Sequence, residues 1–213
     1  MNITIICTSE HHPVNAYLQK WMSKNSLSHD IRLIREKKDA TGGDILFLIS
    51  CGQKIEDHEK EKYKKTLVIH ASDLPNGKGW NPHIWQILEG KTAITVSLLE
   101  AADKIDSGDI WSKVHCSIPK NALWDEINST IFEAELLLMD FAVDNFYSLT
   151  PQPQSELSSD NVYYRLRGPE DSKLDPKKSI AEQFDLMRVC DPERFPAFFF
   201  MHGCKYKLTL EKI

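Results

Sequence analysis

The segment Ile45 to Ser50 (ILFLIS) is almost wholly apolar, and it constrains the fold of this chain more than any other feature. An apolar run of this kind is typical of a central strand covered on both faces, because a strand with one wet face alternates apolar and polar residues. Parallel neighbours of such a strand need crossover connections, which are usually helices. The segment therefore predicts an α/β fold.

The surrounding sequence alternates between strand and helix patterns. Further strands are predicted at Asn2 to Cys7, His29 to Ile34, Thr66 to Ile69, Ile94 to Leu99 and Ile110 to Val114. Apolar residues at helical spacing predict helices at Val14 to Met22, Pro82 to Glu89 and Leu123 to Phe146. This order predicts a mostly parallel sheet with helices on both faces.

A Pro-, Gln- and Ser-rich segment from Thr150 to Asp160 predicts a linker. It divides the chain into a main body, residues 1–150, and a C-terminal subdomain, residues 151–213. Within the subdomain we expect a helix in Pro176 to Val189, followed by a hairpin of Phe198 to Met201 and Tyr206 to Leu210. The apolar Phe198 to Met201 region fits a homodimer contact.

Charge and hydropathy argue against polyanionic and membrane partners. The net charge is −5, and the Lys and Arg residues are scattered, so no nucleic-acid footprint is visible. No apolar run approaches the ~20 residues of a membrane span. The five cysteines are odd in number and lack a Cys-x-x-Cys spacing, which favours reduced thiols and a cytoplasmic protein. His11 and His12 beside Cys7 have no second ligand cluster, so we expect no metal.

Two titratable residues follow predicted strands and are suited to proton transfer. His70 ends a buried strand, and Asp106 lies in the acidic loop after the next long strand, so a parallel sheet would bring both to one edge. An imidazole and a carboxylate together can act in general acid–base catalysis. The alternative is that His70 is a hydrogen-bonded core histidine and Asp106 a turn residue, and spacing alone leaves both open.

Glycine patterns exclude the common nucleotide sites. Gly77 and Gly79 form neither a G-x-G-x-x-G motif nor a P-loop, and no glycine follows the first strand. Trp80 lies in the loop after His70, where an indole can stack on a ligand or simply pack against the protein.

The segment Leu67 to Ile110 resembles the core of the folate-dependent formyltransferases. It contains VIHASDLP, then Gly79 and Pro82 before a helix, then GKTAITVSLLEAADKIDSGDI, in the order of the family's motifs. Tyr163 to Asp175 and Arg188 to Leu210 resemble the C-terminal segment of the sugar N-formyltransferases, including the small enzymes of pseudaminic-acid-type pathways. The resemblance implies a Rossmann-like body that binds 10-formyltetrahydrofolate and a nucleotide-linked amino deoxysugar.

The resemblance also implies roles for the two residues singled out above. His70 matches the family histidine that stabilises the developing oxyanion and manages a proton. Asp106 matches the carboxylate that orients or deprotonates the attacking amine. The family's catalytic asparagine, however, corresponds to Val68, which can donate no hydrogen bond. We expect Asn81 or the loop amides near Lys78 to replace it.

The same comparison implies binding residues. For the folate these are Gln53, Lys54 and Ile55 on one side and Glu100, Ala101, Ala102, Asp103 and Lys104 on the other. For the acceptor they are Lys78 and Trp80 beside the amine and Arg188 near the nucleotide. A tRNA acceptor is disfavoured, because phosphate contacts dominate such affinity and the chain is acidic.

Two other functions stay open. One is formylation of a different amine. The other is a catalytically impaired protein that binds folate or a nucleotide sugar, which the valine at position 68 would explain.

Overall fold

A computed structural model describes residues 1–155 and 162–213. Its centre is a six-stranded sheet with the order β2-β1-β3-β4-β6-β7. The strands are β1 (Asn2–Ile6), β2 (Asp30–Ile34), β3 (Gly43–Leu48), β4 (Tyr63–His70), β6 (Ala93–Glu100) and β7 (Ile110–Ser117). The strand predicted from ILFLIS is central, between β1 and β4, as its composition requires.

The first four strands run parallel, whereas β6 and β7 run antiparallel to their neighbours. The mostly parallel, Rossmann-like sheet predicted from the sequence is therefore confirmed. The direction of β6 was not foreseen, and it changes how Asp106 reaches the site, as described below.

The main helices are α1 (Val14–Asn25), α2 (Asp57–Lys60), α3 (Pro82–Leu88) and α4 (Trp124–Asp144). Helices α1, α3 and α4 pack on one face of the sheet around the larger hydrophobic core. A smaller cluster, which includes Leu46, Ile55 and Tyr63, occupies the opposite face near α2. Because both faces are covered, the central strands can be apolar throughout.

The C-terminal part contains β8 (Tyr163–Tyr164), α5 (Ile180–Arg188) and the hairpin of β9 (Ala197–Met201) and β10 (Cys204–Leu208). Helix α5 begins later than predicted, because the Ser179 hydroxyl caps it by accepting a hydrogen bond from the Glu182 amide at 3.3 Å. A two-residue strand, β5 (Lys78–Gly79), pairs with β8 and joins this part to the body. The predicted linker ends at Asp160, and its residues 156–160 lie outside the described residues.

Arg188 does not have the predicted place beside a nucleotide. Its side chain is 1% exposed, and its guanidinium donates hydrogen bonds to the carboxylate of Asp185 and to the carbonyls of Pro119 and Ala122. Arg188 therefore fastens α5 to the loop before α4, and we correct its assignment from substrate binding to packing.

The predicted dimer contact is only partly open. In β9, Phe198 is buried, while Phe200 and Met201 are half-exposed. The homodimer stays a prediction. Among the described residues, no helix is long and apolar enough to cross a membrane.

Candidate active site

Strand β4 delivers His70 to the site. Successive side chains of a strand point to opposite faces, so Leu67 packs in the larger core while Val68 contacts the smaller cluster. His70 has the same parity as Val68 and therefore lies on the same face of the sheet. Its side chain is almost completely buried.

The loop after β4 folds back over the imidazole. His70 Nε2 lies 3.0 Å from the carbonyl oxygen of Gly77, which can only accept, so Nε2 carries a proton. The loop itself is anchored to its neighbours: the Gln86 amide donates to the Ala71 carbonyl, and the Ser97 hydroxyl donates to the Ser72 carbonyl. These bonds fix the ring and leave Nδ1 as the nitrogen that faces the site.

Asp106 stands next to that nitrogen. Its Oδ1 lies 3.6 Å from His70 Nδ1, and the two side chains are 7% and 9% exposed. The other oxygen, Oδ2, accepts a hydrogen bond from the Gly79 amide at 3.0 Å. The pair expected from the sequence is thus brought together, and its carboxylate is held by a backbone donor.

The route of Asp106 to His70 differs from the predicted one. Because β6 runs antiparallel, its end at Glu100 lies opposite Leu67 and not beside His70. The loop after β6 must therefore return along the sheet, and it does so with Asp106 in the left-handed region at φ 54. Gly108 packs so closely on the Glu100 carbonyl that a Cβ would meet it at 1.8 Å.

A residue that the sequence analysis missed holds this loop. The Gln154 side-chain amide donates to the carbonyls of Asp106 and Gly108 at 3.1 and 2.8 Å. Gln154 follows the segment that pairs with β7 at Gln152. Nothing in the local sequence signals a contact over such a separation.

Two of the groups that could replace the family asparagine as a hydrogen-bond donor are already bonded within the protein. Val68 is an apolar neighbour of His70, as expected. The Gly79 amide is taken by Asp106, and the Trp80 amide donates to the Tyr164 carbonyl at 2.9 Å. These two loop amides are therefore not free donors. Asn81 precedes α3 at φ 47, is exposed, and makes no capping bond to the helix.

The predicted folate segments flank Val68. Ile55 belongs to the smaller hydrophobic cluster, and Val68 and Ala101 pack against it. The Gln53 side chain is hydrogen-bonded within the protein: its Oε1 accepts from the Lys37 amide at 2.8 Å. The structure thus brings the Gln53–Ile55 segment and the start of the acidic loop to one apolar surface.

Most side chains of the acidic loop either bond to other side chains of the protein or are exposed. Glu100 accepts from Lys65 Nζ at 2.6 Å and from Trp111 Nε1 at 3.1 Å. Asp103 pairs with Lys60 at 3.0 Å. Ala102 and Lys104 are exposed, and Lys54 is exposed on the other segment. Any ligand here is held chiefly by backbone groups and apolar contact.

Lys78 and Trp80 lie at the junction with the C-terminal part. Lys78 pairs with Tyr163 in register, and Trp80 is 41% exposed. Gly79 is needed between them, because its φ is +104 and a Cβ would meet the Tyr164 carbonyl at 2.2 Å. An exposed indole and an amine therefore stand beside the loop that holds Asp106.

Comparison with known proteins agrees with this architecture. Residues 3–141 match the family model described as formyl transferase. The chain belongs to the formyl transferase family. Both His70 and Asp106 lie within the matched region.

Individual relatives share this family. A methionyl-tRNA formyltransferase of Clostridium acetobutylicum is 22% identical over 78% of this chain and 54% of its own length. A second methionyl-tRNA formyltransferase, from Acidobacterium capsulatum, is 27% identical over 84% of this chain and 57% of its own length. The chain spans about half the length of these curated relatives.

Solved structures share the fold. A methionyl-tRNA formyltransferase from Clostridium thermocellum superposes with a TM-score of 0.84 at 21% identity, covering 100% of this chain and 93% of its own. HypX from Aquifex aeolicus in complex with tetrahydrofolic acid gives 0.80 at 22% identity over 98% and 37%. A 4-N formyltransferase from Francisella tularensis gives 0.71 at 17% identity over 100% and 98%.

Proposed function

We propose that this protein transfers the formyl group of 10-formyltetrahydrofolate to the amine of a nucleotide-linked amino deoxysugar. The observation that supports this most directly is the buried pair of His70 and Asp106 in a formyl transferase domain, with 3.6 Å between Nδ1 and Oδ1. A carboxylate and an imidazole at this separation can handle the protons of an attacking amine.

10-Formyltetrahydrofolate supplies the formyl carbon, whose bond to N10 breaks as its bond to the acceptor nitrogen forms. The amine loses one proton and N10 gains one, so no proton is consumed overall. Asp106 orients the amine and takes its proton. His70 acts through Nδ1, because Nε2 is bonded to Gly77. Nδ1 lies beside Asp106, where it can take up the amine proton and then donate a hydrogen bond to the formyl oxygen, on which negative charge develops.

The surface beside Val68 fits the flat ring system of a folate. Ile55, Val68 and Ala101 provide an apolar floor on the same face as His70. In the part of the chain that the structure describes, the amides of residues 102–105 make no backbone hydrogen bond. These amides are available to hydrogen-bond the polar edge of a pterin. They lie in and next to the 100–104 segment that the family resemblance assigns to folate binding, together with Gln53 and Lys54.

Two observations favour a nucleotide sugar as the acceptor. Lys78 and the half-exposed Trp80 flank the site, and a cation beside an aromatic face suits a phosphate group next to a sugar or base. Solved structures with the same fold include a likely sugar N-formyltransferase from Mycobacterium tuberculosis and a sugar N-formyltransferase from Shewanella. The net charge of −5 disfavours tRNA.

The test is an acceptor panel followed by mass spectrometry. Purified protein is mixed with 10-formyltetrahydrofolate and with UDP- and dTDP-linked amino sugars, including 4-amino-4,6-dideoxy forms, and with methionyl-tRNA. We expect one formyl group to be added to a sugar nucleotide, and the product to be lost with His70→Ala. Formylation of methionyl-tRNA alone would refute the acceptor class, and measurable folate binding without any product would favour an impaired binding protein.

A further inference from the structure

The loop that carries Asp106 has little regular structure to fix it. It joins β6 to β7 through turns, without forming a helix or a strand. The Gln154 Nε2 group donates to the backbone carbonyls of Asp106 and Gly108 at 3.1 and 2.8 Å. Among the described residues, these two carbonyls accept a hydrogen bond from no other donor. Gln154 is therefore the main support of the backbone at Asp106.

Asp106 needs such a support because its backbone conformation is unfavourable. Its φ of 54 lies in the left-handed region, which a residue with a Cβ adopts only when its surroundings hold it there. In this conformation Oδ2 accepts from the Gly79 amide at 3.0 Å, and Oδ1 lies 3.6 Å from His70 Nδ1. A loop that relaxed to negative φ would turn the carboxylate away from these partners.

Gln154 is itself held in place by the end of the sheet. Gln152 and Ile110 exchange two backbone hydrogen bonds, of 2.7 and 2.9 Å, in an antiparallel bridge. An antiparallel register continued by two positions brings Gln154 opposite Gly108, which explains the 2.8 Å bond between them. The side-chain amide must present Nε2 here, because both neighbouring atoms are carbonyl oxygens and can only accept.

A second support of Asp106 comes from the same part of the chain. Gly79, whose amide binds the carboxylate, pairs with Tyr164 in the short sheet of β5 and β8. The Trp80 amide adds to this pairing by donating to the Tyr164 carbonyl at 2.9 Å. Gln154 and Tyr164 both follow α4 and lie beyond the region that the family model matches. The segment after α4 thus holds Asp106 both at its backbone and, through β5, at its carboxylate.

We infer that Gln154 is a positioning residue for catalysis: by fixing the backbone of Asp106, it directs the carboxylate at the attacking amine. This inference rests on the proposed function, because Asp106 takes the proton of the amine in that reaction. Gln154 acts only through Asp106, so it contributes to turnover and not to the affinity for either substrate. The segment after α4 is then part of the catalytic machinery as well as a connection to the C-terminal part.

The test compares Gln154→Met with Gln152→Met, with 10-formyltetrahydrofolate and dTDP-4-amino-4,6-dideoxyglucose as probes. Methionine keeps the length of the side chain and removes both donors. Gln154→Met should lower kcat by about 10-fold to 10²-fold, as a small misplacement of a catalytic group does, and leave both KM values within about twofold. Gln152, whose side-chain amide donates to the Thr150 carbonyl at 3.3 Å, is the matched control, and its substitution should change neither constant.

A purely structural role is separated by combining the change with Asp106→Asn. Without the carboxylate Gln154 has nothing to direct, so Gln154→Met should lower the residual turnover of Asp106→Asn by less than about twofold. An equal loss in both backgrounds overturns the inference, because Gln154 would then act on the whole fold. Unchanged kcat in the single variant also overturns it. If Gln154→Met does not fold, Gln154→Glu takes its place, because ionised glutamate keeps the shape and lacks both donors.

Failure of the proposed function is a different result. If wild type does not formylate the probe, deuterium exchange of the Gly79 amide is followed by NMR. This amide donates to Asp106 Oδ2, so a displaced Asp106 leaves it unprotected. We expect it to exchange about tenfold faster in Gln154→Met than in wild type, as for one lost hydrogen bond, and at the wild-type rate in Gln152→Met. Equal exchange in all three proteins overturns the assignment of Gln154, whether or not the protein is active.

Discussion

Glu135 gives a stability prediction whose size follows from its burial. The side chain lies on the buried side of α4, and its Oε2 is enclosed without a hydrogen-bond partner among the residues described. Burial raises the pKa of Glu135 from 4.5 to about 8, because the ionised form loses its hydration. The carboxyl is therefore protonated in the native protein at neutral pH and ionised in the unfolded chain.

The sign follows from counting protons. Between pH 4.5 and about 8 the native state holds a proton at Glu135 that the unfolded state lacks, so the free energy of unfolding falls as the pH rises. His12 and His83 act in the opposite direction at lower pH. Their pKa values fall from 6.5 to about 4, so the unfolded state holds the extra protons below pH 6.5.

Above pH 6.5 these histidines contribute little to the pH dependence of the free energy of unfolding, and the contribution of Glu135 dominates. One proton is worth ~1.4 kcal/mol per pH unit, so the free energy of unfolding should fall by about 2 kcal/mol between pH 6.5 and 8. Glu135→Gln should abolish this decline, whatever its effect on stability at one pH. The exposed Glu133→Gln on the same helix is the matched control and should keep it.

Denaturant unfolding followed by tryptophan fluorescence measures these slopes at several pH values. The reasoning fails if Glu135→Gln declines with pH as steeply as wild type, because Glu135 would then be ionised in the native protein.

Three further changes test the site and its support. Asp106→Asn should lower turnover by about 10²-fold to 10⁴-fold while the fold persists, since asparagine tolerates the left-handed backbone; half of wild-type activity would exclude the assigned role. Asn81→Gly removes the side chain without straining the φ of 47, and turnover should fall by about 10²-fold if Asn81 supplies the missing oxyanion donor; unchanged turnover removes it from that role. Arg188→Met should cost about 3 kcal/mol of stability in chemical denaturation by leaving two carbonyls unpaired, with acceptor KM unchanged; a selective rise in that KM would contradict the packing role.

Sequence periodicity was sufficient for the elements that depend on local pattern. The apolar segment at Ile45 predicted a central strand, and the long amphipathic pattern predicted α4, because burial on two faces or on one stripe dictates which residues are apolar. Their ends differ by a few residues where capping bonds, such as that of Ser179, decide the boundary.

The site was predictable in its chemistry and not in its geometry. His70 and Asp106 were expected together, and they are, but through an antiparallel strand and a returning loop. Strand direction leaves no trace in apolar alternation. The contact of Gln154 with this loop joins residues far apart in the chain, and no local pattern indicates it.

For Arg188 the role expected from the sequence was wrong. A resemblance in sequence suggested a nucleotide contact, whereas the side chain is buried and bonded to carbonyls. An arginine can serve either purpose with the same residue type, and only the burial of its guanidinium separates the two.

The most direct test of the central claim follows the formyl carbon itself. Protein, 10-formyltetrahydrofolate labelled with ¹³C in the formyl group, and the amino sugar nucleotide that responds in the panel are observed together by NMR. We predict that the label appears in the amide of the sugar at the rate at which tetrahydrofolate forms, and that neither occurs with His70→Ala. Label recovered as formate, or retained on the folate in the presence of every acceptor, would contradict the account.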